Sequence, residues 1–233
     1  MKVSRKLAKQ TVLLFAIIAA VLIIPSAGFG EKTIQTTQRI IVIDPGHGGT
    51  RNGLVTSGGL QEKNIALKLA LKTARKLEDR YNVLLTRNRD TNMSSRDRIF
   101  FANKNSADLF VCIHLHHSAK PSGFFYYFSP PKNHSRTIAA GENTWKSQPL
   151  IHLSESKKAI DSFLTIFSTN KKPNYFFSDS APIIMLEGST MPAILIEPLS
   201  ISLLPQHPDE IENILEEYAL LIAESIDLYF RKK

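Results

Sequence analysis

Hydrophobic runs bounded by turn-forming residues predict five strands in this chain. Residues 40–43, 109–114 and 192–196 are almost entirely apolar, and short continuous apolar runs are typical of strands buried on both faces of a sheet. Residues 82–86 form a further short strand, and residues 124–128 form a strand that is mostly aromatic. We expect this aromatic strand to lie at an edge of the sheet.

Between and after these strands, apolar residues recur with the period of amphipathic helices. The pattern predicts helices over residues 61–80, 94–103, 154–168 and 209–229. Strands that alternate with helices favour an α/β fold with a mostly parallel sheet. The chain contains no repeat and no evident internal boundary, so we predict one domain over residues 39–233.

The first 30 residues have the pattern of an export signal. Four basic residues precede an uncharged apolar stretch over residues 11–24, and small residues follow it. The stretch is short for a membrane-spanning helix, which needs roughly 20 residues. Residues 1–30 are therefore predicted to be a signal peptide or an N-terminal membrane anchor, followed by a linker over residues 31–38. Both alternatives place the rest of the chain outside the cytoplasmic membrane.

Charge and cysteine content narrow the classes of partner. Removal of the four basic residues of the N-terminal segment, which holds no acidic residue, lowers the formal net charge from +8 to +4. This mildly basic balance suits an anionic surface such as a cell wall or membrane, and no basic patch indicates nucleic acid. Cys112 is the only cysteine, so no internal disulfide forms, and its apolar surroundings predict a buried, inert thiol.

Ionisable side chains lie at the ends of three predicted strands. His47 follows the first strand, His114 ends the third and Glu197 directly follows the fifth. Parallel strands bring their carboxyl ends to one edge of a sheet, so these residues are expected to converge. Glu62, in the first turn of the first helix, is a fourth candidate. Two histidines and a carboxylate form the ligand set of a hydrolytic zinc site, and a separate carboxylate then transfers protons.

Each candidate also has a purely structural interpretation. His47 suits a polar turn, and Glu62 suits a helix N-terminus, where the helix dipole favours a carboxylate. His114 is compatible with a hydrogen-bonded core histidine. Glu197 is harder to explain in this way, because a carboxylate after four apolar residues is costly to bury unless it is paired or functional. The coincidence of all four residues favours a joint site.

Several ordered motifs resemble those of the zinc-dependent N-acetylmuramoyl-L-alanine amidases of the type 3 family. They are residues 44–49 (DPGHGG), 59–64 (GLQEKN), 86–90 (TRNRD), 98–103 (RIFFAN), 107–114 (ADLFVCIH) and 191–197 (MPAILIE). The resemblance covers residues 39–229. It implies a three-layer fold in which helices flank a mixed, mostly parallel sheet of about six strands. It also implies that His47, Glu62 and His114 bind Zn²⁺ and that Glu197 is the catalytic glutamate.

Three positions depart from the family pattern. Arg51 stands where the family usually has aspartate, His116 stands where it has asparagine, and Pro198 begins a different sequence after the catalytic glutamate. None of these changes removes a ligand. We predict that Arg51 and His116 contact the substrate at the cleft. For His116, which shares a strand face with His114, a role as a replacement metal ligand is the alternative.

Together these features predict an exported zinc hydrolase with peptidoglycan as its partner. It would lie in the periplasm, in the cell wall or outside the cell, with membrane anchoring through the N-terminal segment as an open alternative. It would cleave the amide between N-acetylmuramic acid and L-alanine. Two alternatives stay open: a catalytically weakened wall-binding protein of the same fold, and an exported zinc peptidase that acts on another amide.

Overall fold

The computed structural model describes residues 38–130, 144–172 and 174–233. The predicted signal or anchor over residues 1–30 and all but the last residue of the predicted linker lie outside the described residues. Within the described ranges, no helix combines the length and the apolar character that a membrane crossing requires.

A single mixed sheet of six strands forms the centre of the domain. The strands are β1 (Ile40–Pro45), β2 (Asn82–Leu85), β3 (Leu109–Ile113), β4 (Ser122–Phe128), β5 (Tyr175–Ala181) and β6 (Ala193–Glu197). Their spatial order is β2-β1-β3-β6-β4-β5. The first four strands in this order are parallel to one another, β4 is antiparallel to β6, and β5 is parallel to β4. The predicted mixed, mostly parallel sheet is confirmed.

Two details of the predicted sheet are wrong. The aromatic strand β4 is internal, because it pairs with β6 on one side and with β5 on the other. The true edge strand, β5, was not predicted. Its sequence, YFFSDSA, mixes aromatic and polar residues without a continuous apolar run, and most of its side chains are exposed or half-buried, which gives only a weak strand signal.

Helices cover both faces of the sheet, so the three-layer prediction is confirmed. The helices are α1 (Glu62–Leu77), α2 (Ser95–Lys104), α3 (Gln148–Ile151), α4 (Leu153–Asn170) and α5 (Pro208–Arg231), with a short 3₁₀ helix at Ile201–Leu203. One face of the sheet packs against α1, α4 and α5 in the larger hydrophobic core. The other face packs against α2 and the segment before β6 in a smaller core.

This arrangement explains why the candidate residues meet. Side chains alternate between the two faces along a strand, and β1, β3 and β6 are buried on both faces. Apolar residues therefore occupy the interior of these strands. Polar groups are found where the three strands end, at one edge of the sheet, which is where open α/β sheets bind ligands.

Candidate metal centre

A tight turn after β1 carries His47. The residue adopts a positive φ of 60°, which is uncommon for a residue other than glycine. The turn also passes close to the end of β3, because the amide of Gly46 donates to the carbonyl of Ile113 at 2.8 Å. A Cβ atom on Gly46 would collide with the imidazole of His114. Glycine at this position therefore allows the two histidines to approach each other.

Two buried arginines hold the backbone of this turn. Arg98 donates to the carbonyls of Pro45 and His47 at 2.7 and 2.6 Å. Arg87 donates to the carbonyls of Pro45 and Gly46 at 2.9 and 2.6 Å. Three successive carbonyl groups are therefore satisfied by guanidinium groups, which stabilises a backbone conformation that is otherwise unfavourable.

The arginines also connect the turn to its surroundings. Arg98 forms an ion pair of 2.7 Å with the fully buried Asp44. Asp44 accepts further hydrogen bonds from the Thr86 hydroxyl and, at 3.0 Å, from the Cys112 thiol. Burial and the Asp44 charge raise the pKa of Cys112, in agreement with the predicted buried thiol. Asp44 thus fixes the position of Arg98 beneath the turn.

Glu62, at the start of α1, lies between the two histidines. Its Oε2 is 3.1 Å from Nε2 of His47, and its Oε1 is 2.9 Å from Nδ1 of His114. The backbone amides of Leu54 and Leu115 donate to the same carboxylate at 2.9 and 3.1 Å. Burial alone would raise the pKa of Glu62, but these four contacts outweigh it and hold the pKa well below its usual range.

The structure thus brings His47, Glu62 and His114 together. One potential ligand atom from each residue lies within 4.8 Å of the others, and the two imidazole rings are 4.7 Å apart with an interplanar angle of 77°. Two imidazoles and an ionised carboxylate are the donor set of a zinc site that keeps a position open for water or substrate. The residues present therefore fit Zn²⁺.

Glu197 is the last residue of β6 and is separate from this three-residue group. Burial, and after it the negative charge of Glu62, raise the pKa of Glu197 to about 7. A carboxyl group with a pKa near neutrality both accepts and donates a proton readily, which general acid–base catalysis requires.

The other two candidates occupy different positions. Arg51 is exposed, and its backbone pairs with that of Gly48 to close the His47 turn. His116 is buried, with its Nε2 2.9 Å from the Ser122 hydroxyl and its ring edge-on to Phe124 at 4.6 Å. A direct contact of either residue with substrate stays a prediction.

Sequence reasoning missed Arg87 and Arg98 as supports of the turn. For Arg98 the available signal was its place at the start of the mostly apolar motif RIFFAN, because a buried arginine needs several acceptors. The motif TRNRD around Arg87 is polar and gave no such signal. Their acceptors are backbone carbonyls from distant segments, and no local pattern reveals such partners.

The raised pKa of Glu197 predicts how the stability of the metal-free protein depends on pH. The stabilising effect of the protonated side chain is fully present below the unfolded value of 4.5 and is lost as the pH rises through about 7. We therefore expect the melting temperature of metal-free protein to fall more steeply between pH 5 and about pH 8 than that of a Glu197→Gln variant. Calorimetry in matched buffers measures this difference, and parallel curves for the two proteins would contradict it.

The arrangement defines a class of protein: an α/β domain with a zinc-type ligand set and a separate carboxyl group whose pKa lies near neutrality is typical of metal-dependent hydrolases. Comparison with known proteins gives the family. The family model for N-acetylmuramoyl-L-alanine amidase matches residues 41–226, and the chain belongs to this amidase family.

Individual relatives agree with this assignment. The chain is 42% identical over 106 residues to the amidase AmiC of Neisseria meningitidis, an alignment that covers 42% of this chain and 26% of AmiC. It is 36% identical over 160 residues to the sporulation-specific N-acetylmuramoyl-L-alanine amidase of Bacillus subtilis, covering 67% of this chain and 54% of the relative. It thus spans about a quarter and about half of these two proteins.

A solved structure supports the fold. The catalytic domain of the amidase CwlV from Bacillus (Paenibacillus) polymyxa var. colistinus superposes with a TM-score of 0.65 at 25% sequence identity. The match covers 84% of this chain and all of that domain. The part of the chain that the structure describes therefore has the architecture of an amidase catalytic domain.

Proposed function

We propose that the protein is an exported zinc amidase that hydrolyses the bond between N-acetylmuramic acid and L-alanine in peptidoglycan. The observation that carries the proposal is the His47–Glu62–His114 group, whose potential ligand atoms lie within 4.8 Å of one another in a domain of this amidase family. The N-terminal segment, with its basic start and apolar stretch, supports export to the compartment that contains the wall.

In this proposal, His47, Glu62 and His114 hold the metal. The backbone amides of Leu54 and Leu115 donate to Glu62 and keep its carboxylate ionised and oriented, and the arginine-held turn fixes the position of His47. A bound Zn²⁺ supplies Lewis-acid polarisation of the scissile carbonyl and lowers the pKa of a water molecule to about 7.

Glu197 moves the proton. Its carboxylate accepts a proton from the attacking water as the new bond from oxygen to the carbonyl carbon forms. It then donates this proton to the nitrogen of L-alanine as the bond between carbon and nitrogen breaks. The products are the free carboxyl group of the muramic acid and the free amine of the stem peptide, so protons and electrons balance.

The direct test uses the full-length chain, purified in detergent and loaded with Zn²⁺. We expect about one zinc per chain by elemental analysis and new L-alanine amino termini after incubation with purified peptidoglycan. A chelator should abolish the reaction, and added Zn²⁺ should restore it. A protein that binds no zinc and releases no L-alanine termini would contradict the proposal.

The same preparation separates the two alternatives. Co-sedimentation with insoluble peptidoglycan without product from any wall preparation would indicate a wall-binding protein that has lost catalysis. Cleavage of free stem peptides with no release from intact wall would indicate a zinc peptidase. Release from wall, with free stem peptides left intact, is the result expected for the amidase.

A further inference from the structure

A row of aromatic side chains begins beside Glu197 and runs to the edge of the sheet. Phe124 in β4 lies directly opposite Glu197 in β6, and Phe177 in β5 lies opposite Phe124. Residues opposite each other on neighbouring strands point to the same face of a sheet. The three side chains therefore stand next to one another on three adjacent strands, with the carboxylate at one end and the edge strand at the other.

The rings in this row are nearly parallel and stack on one another. The centroids of Phe124 and Phe177 are 5.1 Å apart with an interplanar angle of 16°. Tyr126 is 6.3 Å from Phe124 with an angle of 2°. We call Phe124, Tyr126 and Phe177 the aromatic ridge. Phe177 remains 53% exposed and the adjacent Tyr175 51% exposed, so the outer end of the ridge offers apolar surface to solvent.

Buried neighbours hold the inner end of the ridge in place. The imidazole of His116 packs edge-on against Phe124, and its Nε2 lies 2.9 Å from the hydroxyl of Ser122 in the same strand. These contacts restrict the Phe124 ring before any ligand arrives. A ligand that stacks on the ridge then loses little of its binding energy to ordering the protein.

The charges near the ridge distinguish between the two halves of a peptidoglycan substrate. Asp179 lies opposite Tyr126 and therefore on the face that also carries Glu197. Lys120 lies over the Tyr175 ring at 5.9 Å, where the ring partly satisfies its charge. The side chain of Asp179 repels the carboxylates of a stem peptide. An uncharged sugar ring carries no such penalty, and its C–H groups suit the negative face of an aromatic ring.

We propose that the aromatic ridge is a glycan subsite in which the exposed ring of Phe177, backed by Phe124, stacks an N-acetylated sugar ring adjacent to the muramic acid whose amide is cleaved. This inference rests on the proposed amidase function. The proposal is supported by the position of the ridge directly beside Glu197. When the amide of a glycan chain lies at Glu197, the next sugar of that chain lies along the exposed row of rings. The ridge thus gives a preference for glycan chains over single muramoyl peptides.

The test compares two substrates that differ only in the glycan. One is N-acetylmuramoyl-dipeptide, and the other is a tetrasaccharide glycan that carries the same dipeptide. With the zinc-loaded full-length chain, Phe177→Ala should raise KM for the tetrasaccharide about 3- to 10-fold, the range expected for one lost stacking contact. The effect should be confined to the tetrasaccharide and to KM, and Phe177→Tyr, which keeps the ring, should restore the KM. Phe100→Ala removes a ring of similar exposure on α2, 61% against 53% for Phe177, and serves as the matched control.

Several outcomes would overturn the subsite. An equal change in KM for both substrates, or no change for either, would show that the ridge does not bind the second sugar. A change that follows the length of the stem peptide would assign the ridge to the peptide instead. Either result, obtained with an active wild-type enzyme, leaves the amidase function standing.

A binding measurement covers the case in which the wild-type chain cleaves nothing and the proposed function fails. Chitotetraose, a neutral oligomer of N-acetylglucosamine, is then titrated against the wild-type chain and the Phe177→Ala variant. Weaker binding by the variant, with an unchanged melting temperature, would support the subsite without any reference to catalysis. Equal affinity, or no binding to either protein, would contradict it.

Discussion

The Glu197→Gln variant is expected to lose about 10²- to 10⁴-fold in kcat on peptidoglycan while it still binds Zn²⁺. Glutamine has nearly the same shape as glutamate, so the end of β6 should keep its packing. Its amide has no basic oxygen that can take the proton of the attacking water. The His47–Glu62–His114 group does not include residue 197, so the metal content should remain that of the wild type.

Parallel measurements of kcat and zinc content check this prediction. Glu187→Gln is the matched control, because it makes the same chemical change at a half-buried glutamate in the turn before β6, and it should retain wild-type values. Loss of zinc from Glu197→Gln would mean that the roles of the carboxylates are misassigned. Full activity with zinc bound would remove Glu197 from the mechanism.

The second large effect is expected at Arg98, which supports the His47 turn without belonging to the ligand group. Replacement by methionine leaves the fully buried Asp44 without its cationic partner and removes the donor to the carbonyls of Pro45 and His47. Breaking a buried ion pair from one side typically costs about 3–5 kcal/mol. Groups that orient metal ligands typically change metal affinity by about 10- to 100-fold.

Urea unfolding of the metal-free protein and competition with a chelating dye measure these two effects separately. Arg98→Lys covers the case in which the methionine variant does not fold. Lysine keeps the charge next to Asp44, but a single ammonium group does not reproduce the fork of hydrogen bonds that guanidinium makes. With both effects expressed as free energies, Arg98→Lys should therefore lose more in Zn²⁺ binding than in the free energy of unfolding.

The control for this pair is Arg96→Met, in the same helix. Arg96 is exposed and lies over the Trp145 ring at 5.4 Å, away from the His47 turn. We expect near wild-type stability and zinc affinity. If Arg98→Lys also binds Zn²⁺ as tightly as the wild type, the turn does not depend on the guanidinium group.

The amino-acid sequence by itself determined the layered α/β class and most of its elements. Continuous apolar runs indicate strands that are buried on both faces, and a 3.6-residue periodicity of apolar residues indicates the helices that cover these strands. The strand ends could also be located, and with them His47, His114 and Glu197. The strand Tyr175–Ala181 escaped prediction because an edge strand with exposed side chains has little apolar pattern.

Only the tertiary structure decided how these parts meet. It places β4 inside the sheet, next to Glu197, and thereby aligns Phe124 with Phe177. It also brings the guanidinium groups of Arg87 and Arg98 to carbonyls about 40 and 50 positions away in the chain. Local patterns indicate whether a residue is buried, because burial follows from the polarity of the residue and from its place in the repeat of a strand or helix. Strand order and register depend on pairing between distant segments, and those pairings determine the support of the candidate metal ligands and the surface beside them.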